Sequence, residues 1–183
     1  MNLVITLLLI GFLFFTPLSI ERAIAFIEKV TFIWVVSNQN IQHHNDTKLI
    51  ENFEMYKSEF EQLRRMISED KDLERVDDTW VSPKNLEAIR ISEERVAKYR
   101  NIFRKIGIPR GIAAYDLSRR SILFISSTQG LSVSGSAKGY AWLAEKPSNL
   151  HEDLDSQFSR MGRHEDAAYR HIEGNWYLYV EKN

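Results

Sequence analysis

The chain has 183 residues, with 24 lysines and arginines against 25 aspartates and glutamates and no cysteine. Near-neutral charge leaves no basic face for a nucleic-acid partner. The missing cysteines exclude disulfides, thiolate catalysis and cysteine zinc sites.

Leu3 to Ile20, "LVITLLLIGFLFFTPLSI", carries no charge. As a helix it would span about 27 Å, close to the hydrocarbon core of a bilayer. Only the terminal amine precedes it, whereas a cleaved signal wants a basic n-region. Ala23-Ile24-Ala25 has the small-x-small form of a cleavage site but follows Glu21 and Arg22. We therefore read a retained anchor.

In Glu21 to Val36, Glu21, Arg22, Ala25, Glu28 and Lys29 fall on one arc of a helix, and Ile24, Phe26, Ile27, Val30, Phe32 and Ile33 fill the rest. This segment either lies along the membrane surface or returns across it as a hairpin. The two choices put the following domain on opposite sides of a cytoplasmic membrane. Residues 1–36 are thus the anchor and its contact with lipid. Residues 37–46, "SNQNIQHHND", read as a polar linker, with His43 and His44 solvated and adjacent, so pointing apart.

Residues 47–183 read as the folded domain. Leu49, Ile50, Phe53, Tyr56, Phe60, Leu63 and Ile67 recur at threes and fours, predicting one helix with Asp46 as N-cap. Val96, Tyr99, Ile102, Phe103 and Ile106 predict a second, opened by Ser92 and stopped by Gly107. Glu93 and Glu94 in its first turn and Arg104 and Lys105 in its last match the helix dipole.

After Pro109 the period becomes two. "GIAAYDL" and "SILFISS" flank Ser118-Arg119-Arg120 as a hairpin, "LSVSGS" and "KGYAWLA" give two more strands, and "AAYRHI" and "NWYLYVEK" flank Glu173-Gly174. The expected fold is α+β, two helices packed on an antiparallel sheet of about five strands. It is large enough to fold without metal or disulfides.

The stretch Ser127 to Leu143 is rich in serine and glycine. Gly130-x4-Gly135 begins like a phosphate loop, but Ser136 and Ala137 replace the lysine and hydroxyl, and no helix follows. Gly130-Leu-Ser132-Val-Ser134 fails as a nucleophile elbow. A structural hairpin explains more, with Tyr140 and Trp142 on one strand face. A Ser/Lys or Ser/His hydrolase would use Ser134 with Lys138 or His171. The two "HED" tripeptides, at His151 and His164, lack zinc-ligand spacing and read as loop.

In the last strand, Trp176, Leu178 and Val180 share one face and Tyr177, Tyr179 and Glu181 the other. If exposed, the tyrosine face would make an aromatic platform for a partner or a sugar. Candidate binding residues are then Ser132, Ser134, Tyr140, Tyr177 and Tyr179. No metal site and no cofactor are expected.

"FISSTQGLSVSGSAKGYAWL", "AAYRHIEGNWYLYVEKN" and the helical "YKSEFEQLRRMI" together resemble small bacterial envelope proteins with an N-terminal membrane segment. The likeness covers Phe53 to Asn183. It implies a bacterial source and a membrane setting, and carries over no catalytic residue. The expected function is a membrane-anchored, non-enzymatic binding domain for a protein or a small envelope ligand. A protein that neutralises a toxin at the membrane is one variant, and the hydrolase is the alternative.

Overall fold

The chain divides into a unit of residues 1–40 and a unit of residues 41–183. The computed structural model describes residues 43–182 apart from 115, 117, 131–134, 163 and 164. The anchor expected over residues 1–36 lies outside the described residues. Among those described, no helix is long and apolar enough to cross a membrane.

The first helical region begins one residue earlier than its pattern suggests. Asn45 is the N-cap, its side chain accepting from the Lys48 amide at 2.9 Å, and α1 runs Asp46–Met55. Tyr56 interrupts the helix with φ −119° and ψ 26°, and α2 resumes at Lys57–Glu69. Phe53 and Phe60 lie seven residues apart across this break and both face inward. Helix α3, Glu93–Ile106, matches its sequence signals. The Ser92 hydroxyl accepts from the Arg95 amide, and Gly107 closes the helix in the left-handed region at φ 70°. Ser92→Ala is expected to cost about 1 kcal/mol, read as a lowered midpoint in urea unfolding.

Among the described residues the sheet has seven antiparallel strands rather than about five. They are β1 Arg75–Val76, β2 Val81–Ser82, β3 Ile112–Ala113, β4 Ser121–Gln129, β5 Ser136–Leu143, β6 Glu165–Glu173 and β7 Trp176–Lys182. Their order is β2-β1-β3-β4-β5-β7-β6, with β4 in the middle and β3 and β5 beside it. The short β1–β2 hairpin falls where the sequence pattern marks no strand. "GIAAYDL" contributes only two paired residues. β4 runs through Gln129 and pairs directly with β5 at Gln129↔Ser136, so Gly130 and Gly135 belong to their connection. Leu131 to Ser134 of the expected strand "LSVSGS" lies outside the described residues.

A fourth helix, α4 Leu154–Arg160, stands where the first "HED" read as loop. Asp153 caps it, accepting from the Ser156 amide at 3.0 Å. At seven residues it is too short to show a period.

The alternation in β7 holds. Trp176, Leu178 and Val180 meet the helices, while Tyr177 and Tyr179 lie on the other face of the sheet. On the helix side the core is aromatic. Phe60 sits 4.5 Å from Tyr140, 5.2 Å from Phe53 and 5.9 Å from Trp176, ring centre to centre, with Phe124 4.9 Å from Trp176. These contacts fix α1 and α2 against β4, β5 and β7. That placement sets the N-terminal end of α1 over the polar ends of β4 and β5.

Candidate functional site

The site grows from an irregularity in β4. Ile125 pairs with Gly139, but the next pair is Ser127 with Lys138, so Ser126 is an extra residue in β4. A bulge of this kind shifts the alternation by one. Ser127, which would otherwise share Ile125's face, returns to the helix side opposite Lys138. Ser136, two residues before Lys138 on β5, shares that face.

His43 closes the space between the two serines. Its Nδ1 lies 2.7 Å from the Ser127 hydroxyl and its Nε2 2.8 Å from the Ser136 hydroxyl. The Phe158 ring of α4 packs edge-on at 5.2 Å. Burial, reinforced by the nearby Lys138 charge, lowers the His43 pKa to about 4. The imidazole is therefore neutral near pH 7, one nitrogen donating and the other accepting. The residue expected in a solvated linker is instead a wedge between two strands.

Beside it lies a buried ionic cluster. Lys138 is 1 % exposed and sits 2.7 Å from Asp46 Oδ1 and 2.5 Å from Asp155 Oδ1. No hydrogen bond reaches Asp46 Oδ1, so the contact there is one of charge alone. Asp46 Oδ2 accepts from Arg170 at 3.0 Å and from the Leu154 amide at 2.8 Å. The Asp46 amide in turn donates to Asp155 Oδ2 at 3.0 Å. The first turns of α1 and α4 thus cap each other, each acid neutralising the other's helix dipole. Two cations and two carboxylates balance.

Asp46, Asp153 and Asp155 also bring carboxylate oxygens within 4.8 Å of one another. The Lys138 ammonium already serves Asp46 and Asp155, and Asp153 is engaged in capping α4 through Ser156. This arrangement supplies its own cation.

Ser127 has a second role. With Ser126 and Thr128 it lines a half-open cavity of about 500 Å³, bordered elsewhere by the Asp77–Thr79 turn, His44 and Arg110. The turn is rigid, since Asp77 Oδ1 accepts from the Thr79 amide at 2.9 Å and the Trp80 amide at 2.7 Å. Burial and the Lys48 and Lys138 charges lower the His44 pKa. Residues of β4, the β1–β2 turn and the loop after α3 thus border one cavity.

Among the described residues, those singled out from sequence do not assemble into one site. Ser132 and Ser134 lie outside the described residues. Lys138 faces the helices within its ion pairs. His171 is exposed on the opposite face, where its Nε2 donates to the Gly174 carbonyl at 3.0 Å and its ring meets Tyr177 edge-on at 5.2 Å. Lys138 and His171 therefore do not share a site.

Tyr140 is buried, its hydroxyl donating to the Leu49 carbonyl and accepting from the Asn52 amide, both at 3.0 Å. Burial pushes its pKa up to about 12. Tyr177 and Tyr179 are 4 % and 1 % exposed, so they form packed surface and not an open platform. His151 is held by Asn149 at 2.7 Å. Sequence reasoning missed His43, Ser127 and Ser136 as a group, because they are joined across 84 and 93 residues of chain.

No protein-family model, curated protein or solved structure matches this chain.

Proposed function

We propose that the protein is a membrane-anchored binding domain of the bacterial cytoplasmic membrane, taking a small polar envelope ligand in the cavity beside Ser126–Thr128. The observation that carries this reading is the cavity itself, about 500 Å³ and lined by residues of β4, the β1–β2 turn and the loop after α3. Its size falls within the range of small-molecule sites. The anchor rests on the uncharged run Leu3 to Ile20. Toxin neutralisation would be one biological use of such a domain.

Lys138 is committed to two carboxylates and His171 lies on the opposite face. Their placement favours binding over hydrolysis through those residues. The test is ligand-observed NMR of the full chain against a panel of amino sugars and short peptides of envelope type. At least one is expected to bind, and Thr79→Trp, which fills the cavity from an exposed turn, is expected to remove that binding with the melting temperature unchanged. Binding that persists in Thr79→Trp would place the ligand elsewhere, and no binder from the panel would remove the case for the cavity.

A further inference from the structure

The cavity wall holds a hydroxyl already bonded to an imidazole. We propose that Ser127 is a nucleophile and His43 its base, giving the cavity an acyl-transfer activity towards esters or thioesters with good leaving groups. The proposal rests on the cavity being the ligand site and adds what happens to an acyl ligand bound there.

The geometry supplies the working pair. Ser127 Oγ and His43 Nδ1 are 2.7 Å apart, within the reach a general base needs. Ser127 is one of the residues lining the cavity, which brings the pair to the edge of the space that would hold the acyl group. For Nδ1 to accept the Ser127 proton, Nε2 must carry the ring hydrogen. The Ser136 hydroxyl, 2.8 Å from Nε2, is placed to accept it. Ser136 is thus a positioning residue, standing where familiar triads place a carboxylate. Arg110, which also lines the cavity, is a cation available to the developing oxyanion.

The steps balance without a further reagent. Ser127 Oγ bonds to the acyl carbon while its proton passes to His43 Nδ1. The tetrahedral intermediate collapses, and Nδ1 returns that proton to the departing alcohol or thiol. Water then attacks the acyl-serine, giving its proton to Nδ1. The carboxylic acid leaves, and the proton goes back to Ser127 Oγ.

The surroundings define the substrate class. Around the imidazole stand His44 on its own segment, the Lys138 ammonium from β5, Phe158 from α4 and the two serine hydroxyls. The nearby carboxylates, Asp46 and Asp155, are paired with Lys138. No carboxylate hydrogen-bonds to the ring among the described residues, so the base is weak. Burial holds His43 at about 4. A weak base deprotonates serine with little driving force, so activated esters and thioesters suit it and amides do not.

The same feature gives an unusual signature. The base must be neutral to act, so the rate is expected to stay level from neutral pH down to about pH 5 and to fall with a midpoint near 4. An unperturbed histidine would give a midpoint near 6.5.

The experiment treats the full chain with a fluorophosphonate and follows adduct formation by peptide mass spectrometry, with p-nitrophenyl acetate hydrolysis in parallel. One adduct is expected, on Ser127, and its formation should follow the pH profile above on the unmodified protein. His43→Gln should slow it by about a hundredfold or more. Ser136→Ala should slow it less, and Ser136→Thr, which keeps the hydroxyl, should restore it. Absence of a Ser127 adduct, a midpoint near 6.5, or unchanged labelling in a folded His43→Gln would each overturn the proposal. The two readings fail separately. A ligand that binds while Ser127 never reacts leaves the binding domain standing, whereas equal labelling in Thr79→Trp leaves the nucleophile and removes the cavity.

Discussion

Lys138→Met is expected to destabilise the domain by about 3–5 kcal/mol, the cost of leaving a buried charge without its partner. The ammonium faces two carboxylates of unequal exposure. Asp155 is half open to water and keeps solvent as a substitute, while Asp46 is 3 % exposed and has none. Arg170 still reaches Asp46 Oδ2 in the variant, but Oδ1 loses the one charge contact it has among the described residues. The stem of methionine fills the space of the lysine stem, so the loss isolates charge from packing. Thermal unfolding should move down by about 10 °C or more. A lysine kept for catalysis would behave otherwise, losing activity at nearly constant stability. A melting temperature within about 2 °C of the parent would sink the structural assignment.

Gly139→Ala is expected to cost about 3 kcal/mol or more, at the upper end of overpacking effects. A Cβ at Gly139 would sit 2.1 Å from the Phe124 carbonyl oxygen and 2.8 Å from the Ser126 amide nitrogen. Both neighbours are backbone, so no side chain can swing aside. β4 and β5 would have to separate at the bulge that turns Ser127 to the helix side. The variant should therefore lose stability and also detach Ser127 from His43. Urea unfolding checks the first effect, and the histidine ring shifts in NMR check the second. A variant with unchanged midpoint and unchanged His43 shifts would show that the strands tolerate the methyl.

What could be read from sequence was local. Ser92, the acids of the first turn, Arg104, Lys105 and Gly107 all lie within one element, and α3 forms where they place it. The two-residue alternation of β7 likewise needs only its own residues to show which face packs. The α+β class followed from such signals.

Elements without a period stayed hidden. The two-residue strands β1, β2 and β3 are held by neighbours on the sheet rather than by pattern. The seven residues of α4 sit among polar neighbours that read equally well as loop. The bulge at Ser126 is a relation between two strands, and it inverts the facing that simple alternation assigns to Ser127.

The candidate site suffered most from this. Lys138 drew attention as a possible base, yet its meaning depends on Asp46 and Asp155, two residues far from it in sequence. His43 looked solvated because its partners arrive more than 80 residues later. Chemistry-bearing residue types were visible in the chain, but which of them meet was not.

The bonds of His43 and Asp46 to β5 bear on how the domain responds to being pulled. Tension on the chain ahead of residue 43 would reach a central strand first, through the imidazole between Ser127 and Ser136 and the carboxylate against Lys138. A tether fixed to a frayed edge would peel strands one by one. Here the load meets two hydroxyl bonds, an ion pair and the interlocked starts of α1 and α4 together, which must yield as a group before the sheet is disturbed. The attachment is thus a mechanical clamp, and in single-molecule stretching it should give one abrupt rupture rather than a staircase.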